Sequence, residues 1–141
     1  MEYIVKFLIP ELPNSTGNYS KKFHTIENFI NSKGGIVSGM THNYKNEISS
    51  CLKYNDAVIV HDSDPISAFI SGMALNSNLV VIGYISRGEI IKNNAFEFMC
   101  NYIGYGITAI KEMSYQFISE GKIDAGPQKR KTCRGLPCKK S

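Results

Sequence analysis

The chain has 141 residues, of which 43% are hydrophobic and 20% are charged, and its net charge is +4. This length and apolar content fit one domain with one sizeable core, which argues against intrinsic disorder and against a two-domain chain. No apolar run approaches the roughly 18–20 residues that a membrane-spanning helix needs, and the start of the chain, up to Pro10, does not fit a secretory signal.

In the first half of the chain, short apolar runs of β type alternate with runs of helical period. Apolar residues recur at helical spacing from Phe23 to Ile30, and we expect Gly34 and Gly35 to end this helix. A strand is predicted before this helix, at Tyr3–Ile9. After it the pattern predicts a strand at Ile36–Met40, a helix around Tyr44–Leu52 and a strand at Asp56–His61.

The second half of the chain continues this alternation. Asp64 is a good helix N-cap, and Pro65 suits the first helical position, where its missing N–H costs no hydrogen bond. The continuous apolar run Leu79–Ile85 is typical of a parallel strand that is buried on both faces. The remaining pattern predicts a helix over residues 89–98, a strand at Asn101–Tyr105 and a last helix that Thr108 caps and Gly121 ends.

Strand and helix therefore alternate about five times, which predicts parallel strands joined by right-handed crossover connections. We expect an α/β fold of three layers. Its five-stranded, mainly parallel sheet should have the flavodoxin-like strand order 2-1-3-4-5.

The positive charge lies at the carboxyl-terminal end of the chain. Residues 1–125 carry 10 Lys and Arg against 12 Asp and Glu, a net of −2. Six cations and no acidic residue follow Gly126: Lys129, Arg130, Lys131, Arg134, Lys139 and Lys140. We expect residues 1–125 to form the domain and residues 126–141 to form a flexible basic tail.

The four cysteines are too few for a disulfide scaffold in a chain of this length. Cys51 and Cys100 lie in apolar segments and are interpreted as small core residues. Cys133 and Cys138 lie in the basic tail with no second Cys or His pair nearby, which is a weak zinc pattern. We expect a reduced, cytoplasmic protein with no metal and no cofactor.

In a doubly wound sheet, ligands bind beyond the carboxyl ends of the strands, at the switch point between strands 1 and 3. The segments that leave this edge are Pro10–Ser20, His61–Pro65 and Ser86–Glu89, and they are rich in hydroxyl and amide side chains. They suit a polar small molecule such as a nucleoside or nucleotide, although turn chemistry explains the same residues equally well. The candidate ligand-binding residues are Pro10, Asn14, Ser15, Thr16, His61, Asp62, Ser63, Ser67 and Arg87.

Several sequence motifs with a known chemistry are absent. The chain has no GxxxxGK[ST] phosphate loop, no GxGxxG fingerprint and no GxSxG nucleophile elbow. The three histidines are isolated from one another and form no metal-ligand pattern. His61 is the one histidine near the expected site, where a structural role competes with a role in ligand binding.

The segment Glu47–Val60 resembles the helix-then-strand segment of the nucleoside 2-deoxyribosyltransferase-like family, whose strand reads roughly D-A-V-I-A. That family continues with a helix that reads about G-T-A-F-E-x-G and then a further strand. Here Ser67–Asn76 occupies the helix and Leu79–Ile82 the strand, and the order of elements matches over about residues 3–120. The resemblance implies the same α/β scaffold and a nucleoside-type ligand.

The chain departs from that family at its catalytic position. The nucleophilic glutamate of the family falls at Ile70, and an aliphatic side chain cannot hold a covalent glycosyl intermediate. Asn94–Phe98 also contains an A-F-E sequence, but it follows the fourth strand, and a solvated helix carboxylate explains Glu97 better than a displaced nucleophile. Of the family's early Y-x-A-G-P signature, this chain retains only the proline, Pro10.

Three hypotheses about function follow. The first is a binding protein that senses or sequesters a nucleoside or nucleotide-derived molecule, as viral or phage proteins that absorb host nucleotide messengers would. The second is an enzyme that cleaves N-glycosidic bonds with Asp62, Glu89 or Glu97. The third is a nucleic-acid-binding module that acts through the basic tail, which we disfavour because the tail has no aromatic residue for stacking.

The resemblance also implies association between copies of the chain, because members of the family commonly complete their pockets with a neighbouring subunit. The chain has eight Tyr and seven Phe, among them Tyr102, Tyr105 and Tyr115, although aromatic residues more often fill the core. We expect a homo-oligomer that does not bind membranes.

Overall fold

The computed structural model describes residues 3–10, 17–39, 44–61, 65–91 and 94–123. Five parallel strands form one sheet in the order β2-β1-β3-β4-β5. The strands are β1 (Lys6–Leu8), β2 (Ile36–Ser38), β3 (Ala57–His61), β4 (Val80–Ile85) and β5 (Tyr102–Tyr105). The predicted fold class and strand order are confirmed.

Helices cover both faces of this sheet, because each parallel connection must cross over it. The helices are α1 (Gly17–Ser32), α2 (Tyr44–Tyr54), α3 (Pro65–Asn76), α4 (Asn94–Met99) and α5 (Ile107–Glu120). Helices α1 and α5 pack on one face, and α2, α3 and α4 pack on the other. Below, these are called the α1–α5 face and the α2–α4 face.

Two hydrophobic cores lie on the two sides of the sheet, because successive strand residues point to opposite faces. Ile59 of β3 and Tyr84 of β4 belong to the core under α1 and α5. Val60 and Ile85, their sequence neighbours, belong to the core under α2, α3 and α4. In β4, which was predicted to be buried on both faces, Val81 to Ile85 are all buried.

Several boundaries differ from the predictions. The helix predicted over residues 89–98 begins only at Asn94, because Gly88 adopts a φ of 88° in a turn and residues 89–91 are not helical. Thr108 does not cap the last helix. Gly106 is its N-cap, without a capping side chain, and Thr108 lies inside the first turn.

The predicted end of the last helix is confirmed. Gly121 has a left-handed φ of 74°, and its N–H donates to the carbonyl of Phe117 at 2.9 Å. This is the backbone state in which glycine lacks the steric cost of other residues. The capping role of Asp64 and the basic tail lie outside the described residues.

Candidate functional site

The carboxyl edge of the sheet has the topology that predicts a ligand site. Strands β1 and β3 are neighbours, yet the helices that follow them, α1 and α3, pack on opposite faces of the sheet. The chain therefore diverges between these two strands, which is the arrangement that places ligand crevices beyond the carboxyl ends of the strands in doubly wound sheets. Pro10 lies just after β1, and His61 is the last residue of β3. Both residues are buried.

His61 is packed into an aromatic cluster at this edge. Its ring is only 4% exposed and stacks on Phe23 of α1, with centroids 5.3 Å apart and ring planes within 8° of parallel. Tyr84, its register partner on β4, meets the imidazole edge-on at 6.2 Å. Phe23 and Tyr84 also meet edge-on, at 6.0 Å. The Phe23–His61–Tyr84 cluster thus packs α1 against β3 and β4 at this edge of the sheet.

A tight turn positions Arg87 at the same edge. The N–H of Glu89 donates to the carbonyl of Ser86 at 2.9 Å, and Gly88 has the positive φ that a type II turn requires at its third residue. The Arg87 side chain is exposed. Its cation is therefore available to a ligand from solvent.

The stem of Arg87 lies against the start of α5. A Cβ atom on Gly106 would lie 3.6 Å from the Cβ of Arg87 and about as near to its Cγ and Cδ. The Gly106 N–H donates to the carbonyl of Ile85 at 2.8 Å, which fixes the end of β5 beside the end of β4. The first turn of α5 has no side-chain cap, so its N–H end favours negative charge, and the stem of Arg87 lies beside it.

The two candidate carboxylates that the structure describes, Glu89 and Glu97, lie on different elements. Glu89 is exposed in the turn after β4. Glu97 lies on α4, on the α2–α4 face, whereas His61 points toward α1 on the other face. Glu97 is only 8% exposed, so its interpretation as a solvated carboxylate is wrong.

Ile70 is fully buried on α3 and belongs to the core between that helix and the sheet. Its neighbours in this core include Leu8, Val58 and Val60. This is the position where the resemblance implies a nucleophilic glutamate. In this chain the position contributes apolar packing and no chemistry.

Five predicted site residues lie outside the described residues: Asn14, Ser15, Thr16, Asp62 and Ser63. Ser67 belongs to α3, but its side chain is outside what the structure describes. Among the described residues, no group of three His, Cys, Asp or Glu side chains has the arrangement of a metal site. Within the same residues, no helix is both long and apolar enough to cross a membrane.

The structure also contains a polar cluster that the sequence did not indicate. At the amino edge of the sheet, the Tyr3 hydroxyl donates to the Asp56 carboxylate at 2.7 Å, and the Lys6 N–H donates to the same group at 2.9 Å. The Lys6 ammonium donates to the Tyr3 oxygen at 3.1 Å and lies 4.4 Å from the centre of its ring. The hydrogen bond to Tyr3 is the main cause of a raised pKa at Lys6.

This cluster joins the start of β1 to the start of β3. The only sequence signal was a carboxylate directly before a buried strand. The polar cluster of Tyr3, Lys6 and Asp56 lies at the opposite edge of the sheet from His61 and Arg87, since all strands run in the same direction. We therefore interpret it as a structural tie and not as part of the ligand site.

Comparison with known proteins adds no family assignment. The chain matches no protein-family model and no curated protein.

Proposed function

We propose that this chain binds a nucleoside or a nucleotide-derived small molecule at the carboxyl edge of its sheet, and that it senses or sequesters this ligand without cleaving it. The observation that carries the proposal is the position of Arg87 against Gly106, the uncapped N-terminus of α5. A phosphate group is the common anionic part of such ligands, and both features favour it.

The topology of the sheet supports the same location. A ligand between the ends of β1 and β3 would lie at the edge where Arg87 lies, beside the packed rings of the Phe23–His61–Tyr84 cluster. A ligand that meets a preformed surface loses less free energy to ordering of the protein.

The proposal that the ligand is not cleaved is supported by the residue at the position of the family's catalytic glutamate. Ile70 is buried among apolar side chains, and the described candidate carboxylates lie on an exposed turn and on the other face of the sheet. A glycosyl transfer needs a nucleophile or a water-activating carboxylate close to the anomeric carbon. Glu97 lies on the opposite face of the sheet from His61, and Glu89 lies on the exposed turn that carries Arg87.

Isothermal titration calorimetry against nucleosides, nucleoside monophosphates and cyclic dinucleotides tests the proposal. Arg87→Ala should weaken the binding of phosphorylated ligands by about tenfold or more, because hydrogen bonds to charged groups contribute about 1.5–3 kcal/mol. The matched control is Lys53→Ala, since Lys53 is an exposed cation on α2. No binding at millimolar ligand would refute the proposal.

The alternative is an enzyme that acts on the N-glycosidic bond of nucleosides or nucleoside monophosphates. The low exposure of Glu97 favours it, since a carboxyl group sheltered from water is a common general acid. Chromatographic release of free base, abolished by Glu97→Gln and retained by Glu112→Gln at an exposed position, would establish catalysis in place of simple binding. The residues Asp62 and Glu89 would be tested in the same way.

We also propose that the protein forms a homo-oligomer through the α2–α4 face. Phe69 and Leu75 on α3 and Phe98 on α4 are exposed, and the sequence of α3 contains no charged residue. A helix that is apolar on all sides is usually buried on all sides, and an uncharged helix such as α3 can meet its own copy without repulsion.

We also propose a reducing, cytoplasmic setting, since neither Cys51 nor Cys100 forms a disulfide bond.

A further inference from the structure

We draw no further inference here: the strongest candidate, the surface patch of exposed Tyr3, Ile4, Ile36 and Tyr54 side chains around Lys6 at the amino edge of the sheet, is an unpartnered apolar surface, and nothing in the structure shows what covers it.

Discussion

The imidazole of His61 lies almost parallel to the ring of Phe23, with centroids 5.3 Å apart. These residues are 38 positions apart in sequence, and their contact joins the end of β3 to the first half of α1. In a doubly wound sheet the ligand site lies beside these two elements, beyond the carboxyl ends of the strands. The position of the candidate site therefore depends on the packing of Phe23 against His61 in the core.

Phe23→Ala is expected to lower the free energy of unfolding by about 3–5 kcal/mol, because it removes a fully buried aromatic side chain and leaves a cavity. Phe98→Ala is the matched control. Phe98 is 65% exposed, so its loss should change the free energy by no more than about 0.5 kcal/mol. Urea unfolding followed by circular dichroism measures both, and equal effects would contradict the packing described for Phe23.

Gly106→Ala is expected to destabilise the protein by about 1–3 kcal/mol, since its φ of 96° and ψ of 164° belong to a region that is essentially restricted to glycine. The new methyl group would also touch the stem of Arg87. Gly72→Ala is the control within a helix. Its methyl group would meet only the flexible Met99 side chain, at 3.3 Å, so a change within about 1 kcal/mol is expected. Thermal unfolding distinguishes the two, and a harmless Gly106→Ala would argue against the described backbone.

Tyr3→Phe is expected to lower the pKa of Lys6 toward its ordinary value of 10.5, because the hydrogen bond from the ammonium to the Tyr3 oxygen is the largest cause of its elevation. Tyr54→Phe should have a smaller effect, since the electrostatic contribution of Tyr54 is the last of the causes. NMR titration of the lysine ε-methylene signals measures both shifts.

The raised pKa also fixes a direction for stability. A group that binds its proton more tightly when folded adds stability below its unfolded pKa and loses it as the pH rises through the folded value. The contribution of Lys6 should therefore be lost above pH 10.5, and Tyr3→Phe should weaken this loss. A pKa of Lys6 that Tyr3→Phe leaves unchanged would contradict the hydrogen bond.

The order of elements and the strand order were predictable, because apolar periodicity and the rules for parallel connections depend on local sequence. The predictions were wrong for the start of α4 and for the cap of α5, where the backbone conformation overrides the apolar pattern. Ile90 and Ile91 extend the apolar spacing of α4, but the turn at Gly88 precedes them, and Ile90 is exposed. Thr108 is a good capping residue type, yet the chain turns into the helix at Gly106.

The candidate site was only partly predictable. The place of His61 at the carboxyl edge followed from the strand order, but its stacking on Phe23 depends on where α1 packs. The burial of Glu97 depends on how a helix of six residues lies against α3 and the sheet, and no local pattern encodes that.

The exposed apolar residues of α3 and α4 give the last prediction. If copies of the chain associate through the α2–α4 face, Phe69→Ser/Phe98→Ser should shift the protein toward the monomer, since a few central aromatic residues carry most of the energy of an interface. The control is Tyr115→Ser, because Tyr115 is a comparably exposed aromatic residue on the α1–α5 face. Sedimentation-velocity ultracentrifugation over a range of concentrations measures the shift. A wild-type monomer at every concentration, or dissociation by the Tyr115 variant alone, would show that this face is not the interface between copies.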